Sequence, residues 1–297
     1  KGEAATTSGS WSSGGNMNTA RGYVGGTGIQ TAALSAGGMT YPPGTVQDNV
    51  EQYNGSAWTE VGDLNTARWQ LAAGGTYTSA IGFGGATGFP AGSAVANAET
   101  WNGSSWTEVG DLNQARRLLS GVGASSTSAI AFGGFAPGPT FYDLTETWNG
   151  SNWTEVGDLN TARRATGSTG DATAALAIGG ENNGASATES WNGSAWTTLP
   201  ATLNTGRGSA GSSKISTTSA LYFGGDIEPG RTGITELYNG TSWSEQADLS
   251  QVRRNLGGAG SGSTSALAFG GEIAPTTAVT EEWLGAGAGL TRTFTDS

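Results

Sequence analysis

Residues 99–134 read ETWNGSSWTEVGDLNQARRLLSGVGASSTSAIAFGG, and the same line recurs along the whole chain. Glu99 to Val109 reads as strand, turn, strand, because Asn102-Gly103 tolerates positive φ and sits between alternating residues. If residues 102–105 all form the loop, Trp101 and Trp106 face each other across the ladder, a pairing that contributes about 0.5–1 kcal/mol beyond burial. A two-residue loop would pair them differently. Gly110-Asp111-Leu112-Asn113 then makes a turn, and Arg116 to Ala124 is a strand with Leu118 and Val122 among small residues. After the polar turn Ser125-Ser126-Thr127, Ser128 to Gly134 is a strand of small and apolar residues, suited to the crowded inner edge of a closed array. One unit therefore holds four strands.

Outward from this unit the register has almost no slack. The second Trp of the hairpin recurs as Trp11, Trp58, Trp106, Trp153, Trp196 and Trp243, and the second glycine of the terminal pair as Gly38, Gly85, Gly134, Gly180, Gly225 and Gly271. An Arg follows each Trp by ten residues, at Arg21, Arg68, Arg116, Arg163 and Arg253, and by eleven at Arg207. Six four-stranded antiparallel units with a period near 47 residues are the blades of a six-bladed β-propeller. An open β-solenoid would need much shorter periods. The termini argue for closure: nothing pairs with Trp11 upstream, while Thr280-Glu281-Glu282-Trp283 is half a hairpin. One blade is expected to be stitched from both ends, the C-terminal segment giving the two inner strands and the N-terminal segment the two outer ones, which removes an open edge. The whole chain, 1–297, then forms one domain, with repeats over about 8–283 and a tail from Leu284 to Ser297.

Composition agrees with an all-β chain. Gly numbers 52 and charged residues are only 12%, so amphipathic helices with charged faces have little material to be made from. Gly/Ser-rich sequence of this kind would stay disordered without apolar anchors, but eleven Trp in fixed register bury enough surface to offset chain entropy. The net charge is −11, and nine of the eleven Arg lie in or beside the repeated Arg slot, so no basic patch is expected and nucleic acid is not the expected partner. There is no Cys, no His and no apolar run of 18 residues, which leaves no disulfide, no thiol nucleophile, no ordinary Zn or Cu site and no expected membrane insertion. No cofactor is called for. There is no signal-like start, and a chain opening at Lys1 rather than Met suggests a processed product or a portion of something larger.

The pattern resembles kelch repeats, whose blades carry Gly-Gly at the end of the innermost strand, an aromatic on the next and a Trp on the third. Here those slots are Gly133-Gly134, Trp148 and Trp153 in one blade and their equivalents in the others, over residues 8–283. The hairpin between aromatic and Trp is two residues shorter than the usual kelch spacing. In that shorter form, with runs such as ETWNGSSWTEVGDLNQAR and SAIAFGG, the chain is similar to repeat proteins of marine bacteriophages and marine bacteria. Kelch propellers include galactose-oxidase-like copper enzymes, but those need His, Tyr and a Cys crosslink, and this chain has neither His nor Cys. Sialidases are six-bladed too, but the turns NGSAW, NGSSW, NGSNW and NGTSW lack the Asp of their repeated motif. A two-carboxylate glycosidase would have to draw on Asp143, Glu146, Asp226 or Glu228, and no spacing favours a pair. No enzymatic activity is expected.

Several repeated features have structural readings that outweigh functional ones. The sequons at Asn54, Asn102, Asn149, Asn192 and Asn239 are explained by turn chemistry. The series Asp63, Asp111, Asp158 and Asp248 is read as turn caps that pair with the Arg of the same or the next blade rather than as cation sites. The twelve aromatic hairpin slots are read as inter-blade core rather than as a sugar-stacking array.

Function is expected where the repeats differ. The connections at 39–50, 86–98, 135–145, 181–188, 226–235 and 272–279 vary in length and chemistry while everything around them repeats. Blade topology brings them to one face with the GDLN turns. That face would hold Tyr41, Phe89, Phe135, Phe141 and Tyr142, with Asp143, Asp226, Glu228 and Arg231 nearby. Exposed aromatics among carboxylates, amides and an Arg suit a carbohydrate, whose faces stack on rings and whose hydroxyls take polar groups, and suit a protein partner equally. The expected role is a non-catalytic recognition module on an extracellular or virion surface, contacting a glycan or protein of a host cell. The alternative is a spacer or decoration protein of a viral or cell-surface assembly, its loops touching neighbouring subunits.

Overall fold

The computed structural model describes residues 9–90, 93–136, 140–182 and 185–285. It contains no helix among the described residues and six four-stranded antiparallel sheets, with three two-stranded ribbons in the connecting loops. Blade 1 runs from the axis outward as Gly25–Ile29, Ala32–Ala36, Val50–Tyr53 and Trp58–Glu60. Blades 2 to 5 repeat that order between residues 72 and 245, so the strand that runs into Gly-Gly, such as Ser128–Phe132, is second from the axis and not innermost as expected, the strand before it taking the inner edge. In blade 6 the three inner strands, Gly257–Gly262, Ser265–Phe269 and Thr280–Leu284, come from the C-terminal segment, and Ser10–Ser13 is the outermost. Closure by both termini holds, but the division is three strands to one rather than two to two. Thr280–Leu284 bonds to Ser265–Phe269 on one side and to Ser10–Ser13 on the other, placing Trp11 opposite Trp283.

The four-residue hairpin loop is also present. Trp101 pairs with Trp106, Asn102 Oδ1 accepts from the Ser104 and Ser105 amides, and Gly103 has φ +95°. The hairpin aromatics are the inter-blade core: Trp58 packs on Phe269, Trp153 on Phe83, Trp196 on Phe132 and Trp11 on Phe223, each ring meeting the preceding blade.

The repeated Arg pairs with Glu, not with the Asp of the preceding turn. Arg68 is fully buried; its Nη2 lies 2.9 Å from Glu99 Oε1 and its Nη1 donates to the Gly84 and Asn97 carbonyls. The Asn of the turn completes the set, because Asn65 donates through its amide and its side chain to Glu99 Oε2 and reaches the Trp106 carbonyl. The same Arg–Glu pair recurs as Arg21–Glu51, Arg116–Glu146, Arg163–Glu189, Arg207–Glu236 and Arg253–Glu281. Glutamate wins because it stands on the strand of the same blade that the guanidinium reaches. Of the Asp series, Asp158 and Asp248 cap, accepting from the amides of Thr145 and Thr235.

Two rings of backbone hydrogen bonds tie neighbouring blades. In the outer ring the second Gly of each pair donates to the carbonyl of the next blade's slot Arg, from Gly38 to Arg68 round to Gly271 and Arg21. The first Gly must be Gly: at Gly84, φ is +63° and a Cβ would stand 2.8 Å from the Arg116 carbonyl oxygen. The inner ring consists of the residues two places after each Arg, where Tyr23, Gln70, Leu118, Ala165, Ser209 and Asn255 all take φ between +51° and +59°. Each donates its amide to the carbonyl of the preceding blade's member at 2.6–3.0 Å, and Tyr23 closes the ring on Asn255. Non-glycine residues rarely adopt this conformation. Here the bond to the neighbouring blade holds it six times over. It also explains why the innermost strand starts at Ser120 and not at Arg116, since the chain must first turn through Leu118.

Candidate functional site

Each strand reverses at a hairpin, so the connections between second and third strands and the blade-to-blade turns share one face of the disc, as blade topology requires. On that face the inner ring floors a cavity of about 780 Å³ at the axis. Its wall draws on two further positions of the repeat, with Trp69, Arg117, Arg164, Glu181, Gly208, Asp226 and Arg254 lining it: the residue after each Arg and the residue after each Gly-Gly, which bridge one another in each blade. They are Gly22 and Met39 in blade 1, Trp69 and Ala86 in blade 2, Arg117 and Phe135 in blade 3, Arg164 and Glu181 in blade 4, Gly208 and Asp226 in blade 5, and Arg254 and Glu272 in blade 6. Two scaffold positions thus carry five different pairs, with Arg and Glu recurring in blades 4 and 6.

The wall is two-sided. Over blades 1 and 2 it is aromatic: Tyr23 meets Trp69 edge-on with centroids 5.1 Å apart, Trp69 meets Phe89 at 5.5 Å, and Phe89 meets Tyr41 at 6.1 Å. These four rings run from the inner ring to the outer rim, where Tyr41 and Phe89 are about 40% exposed. The Trp69 indole is fixed by donating to the Gly88 carbonyl.

Over blades 3 to 6 the wall is charged. Arg164 stands 4.8 Å from the Phe135 ring centre and 5.0 Å from that of Phe141, while Nε pairs with Glu181 at 2.7 Å. Arg117 also lies over Phe135, and burial together with the neighbouring Arg164 charge pulls its pKa below the usual arginine value. Arg254 bridges Asp226 at 2.7 Å and Glu272 at 3.2 Å, and Arg231 approaches Glu272 at 3.6 Å. Burial opposes the Arg254 charge, but these two carboxylates more than offset it and its pKa rises. Tyr23 donates to Glu272, and burial and that carboxylate push its phenol up to about 12. Among the described residues no three carboxylates come together as a metal site.

Of the residues expected on this face, Phe141, Asp226 and Glu228 line the cavity, Phe135 lies under its arginines, and Arg231 joins its carboxylate network. Tyr41 and Phe89 do not line the cavity and join its wall only through the contact of Phe89 with Trp69. Tyr142 and Asp143 stand outside the lining and serve the loop's base, where their carbonyls accept from the Arg163 and Leu159 amides. Glu146, a candidate acid for a glycosidase, is locked to Arg116 and Asn113 with its side chain 2% exposed, so it faces no substrate. Residues 137–139 and 183–184 of the variable connections, 91–92, and 286–297 of the tail lie outside the described residues.

The sequence reading missed Tyr23, Trp69, Arg117, Arg164, Glu181, Arg254 and Glu272. In the sequence the three arginines look like companions of the structural slot, yet all of them line one mouth. Their signal was their position: aligned on the Arg and the Gly-Gly, they stand one or two places after the Arg or one after the Gly-Gly, in columns that vary while the Arg and the Gly-Gly repeat.

No family model matches the chain, and no curated protein does. A solved structure titled "Structure of YjhT" superposes with a TM-score of 0.73 at 13% sequence identity, covering 89% of this chain and 95% of that one. At that identity the similarity establishes the propeller fold alone.

Proposed function

We propose that this chain is a kelch-like recognition module, non-catalytic and displayed on an extracellular or virion surface, that binds a host-cell glycan in the axial mouth of its loop face. The observation that carries the reading is the two-sided wall around a cavity of about 780 Å³, aromatic at Tyr23 and Trp69, with Phe89 packed behind Trp69, and charged from Arg117 to Arg254. Ligand sites are concave, with apolar surface for contact and a few placed polar groups for orientation. A sugar ring offers an apolar face to stack and hydroxyls at its edge, and guanidinium and carboxylate groups are the complementary donors and acceptors. Glu181, Asp226 and Glu272 are held in ion pairs, which suits fixed hydrogen-bond acceptors better than groups that must exchange protons. The resemblance of the repeats to those of marine phage and bacterial proteins supports the surface setting.

A glycan-array screen of the intact chain tests this, run beside Phe89→Ala and Phe141→Ala. Specific binding that both substitutions weaken, with folding intact by circular dichroism, is the expected result. Absence of binding across the array, with and without calcium, would turn the assignment to the assembly role and to neighbouring proteins as partners.

A further inference from the structure

Below the inner ring, away from the mouth, the axial channel holds a single basic side chain among the described residues. It belongs to Lys214, seven residues after its slot Arg, where the other five blades carry Gly28, Gly75, Gly123, Gly170 and Gly260. Blade 5 departs from the repeat to place it. Its innermost strand is cut to Gly211–Ser212, and the Lys214 backbone is spliced between neighbours, donating to the Gly260 carbonyl and accepting from the Gly170 amide at 2.9 and 3.0 Å. The side chain enters a cavity of about 100 Å³ bounded by the glycine-rich innermost strands, each the free edge of its sheet. This cavity shares no lining residue with the mouth.

The ammonium is undercoordinated. Nζ donates to Ser168 Oγ at 3.1 Å, but Ser168 gives its own proton to the Gly121 carbonyl, and Ser212 Oγ gives its proton to the Ser168 carbonyl. An ammonium has three donors, so two are left without a partner among the described residues. Lys214 makes no ion pair among the described residues, although acidic residues outnumber basic ones 24 to 13. Burial alone lowers its pKa to about 8, with no carboxylate contributing. The half-buried amine thus stands in a confined polar space without a protein counter-charge, where an anion would offset its positive charge.

We propose that a small monovalent anion of halide size occupies the axial channel against Lys214 Nζ, held by the ammonium's two remaining donors. The site is independent of the glycan reading. It supplies an inorganic counter-ion at the centre of the disc, where six free strand edges meet and where only blade 5 carries a charge.

Bromide is the probe. Crystals soaked in bromide are expected to show an anomalous peak in contact with Nζ, and in solution the melting temperature should rise with bromide at constant ionic strength, relative to gluconate, which is too large for the cavity. Both signals should vanish in Lys214→Met and in Lys214→Gly, the latter restoring the residue of the other five blades in case the former packs badly. A channel without anomalous signal in the wild type, a peak that persists in a folded variant, or equal thermal responses of wild type and variants would each overturn the assignment.

Discussion

Four hairpin tryptophans donate their indole N–H to a threonine of the preceding blade: Trp58 to Thr280, Trp196 to Thr145, Trp243 to Thr188 and Trp11 to Thr235, at 2.9–3.0 Å. The other two, Trp106 and Trp153, are buried with no partner for Nε1, because the threonine position of the blade before them is Val50 and Ala98. The same core contact thus exists in satisfied and unsatisfied form. Thr145 is fully buried, so Thr145→Val leaves the Trp196 donor without water or partner, and the unmade bond should cost about 1–3 kcal/mol. Val50→Thr reverses the change at nearly constant shape, setting a hydroxyl before the orphaned Trp106 donor. After subtracting the desolvation of that hydroxyl the gain should be about 1 kcal/mol. Equilibrium urea unfolding followed by tryptophan fluorescence reads both as shifts of the midpoint at constant slope. The opposite signs are the point, since Val-to-Thr changes in a core normally destabilise. A lower midpoint for Val50→Thr, or an unchanged one for Thr145→Val, would refute the role given to the missing hydroxyl.

Arg68→Met removes the partner of a fully buried carboxylate and should cost about 3–5 kcal/mol, whereas Arg164→Met, whose pair is about 30% exposed on each side, should stay within about 1 kcal/mol. The two urea midpoints side by side check this. Gly84→Ala forces a Cβ toward the Arg116 carbonyl at positive φ and should cost about 1–3 kcal/mol, seen as a melting-temperature drop in calorimetry. The Lys214 amine holds its proton less well when folded than in the unfolded chain, so between about pH 8 and the ordinary 10.5 the unfolded state binds more protons. Wild-type stability relative to Lys214→Met should accordingly rise with pH across that window, and saturating bromide should flatten the rise.

The sequence by itself determined the propeller. A period near 47 residues, Asn-Gly turns and aromatic pairs are local signals, and six equal units with a half-hairpin at each end can close only as a ring. It also marked the loop face, since alternating strand directions follow from four strands per blade. Which glutamate meets each arginine was not legible, because Arg68 and Glu99 are 31 residues apart and Asp63 is nearer in the chain. The three-to-one division of blade 6 likewise depends on how far each terminus runs along its neighbour. Above all, only the tertiary structure could show that the residues after each Arg and each Gly-Gly surround one axis. In the chain Trp69, Arg117, Arg164 and Arg254 are spread over nearly 190 positions and look like noise in the repeat. Six-fold closure carries each to the same radius and height, so variation scattered along the sequence becomes one wall around one mouth.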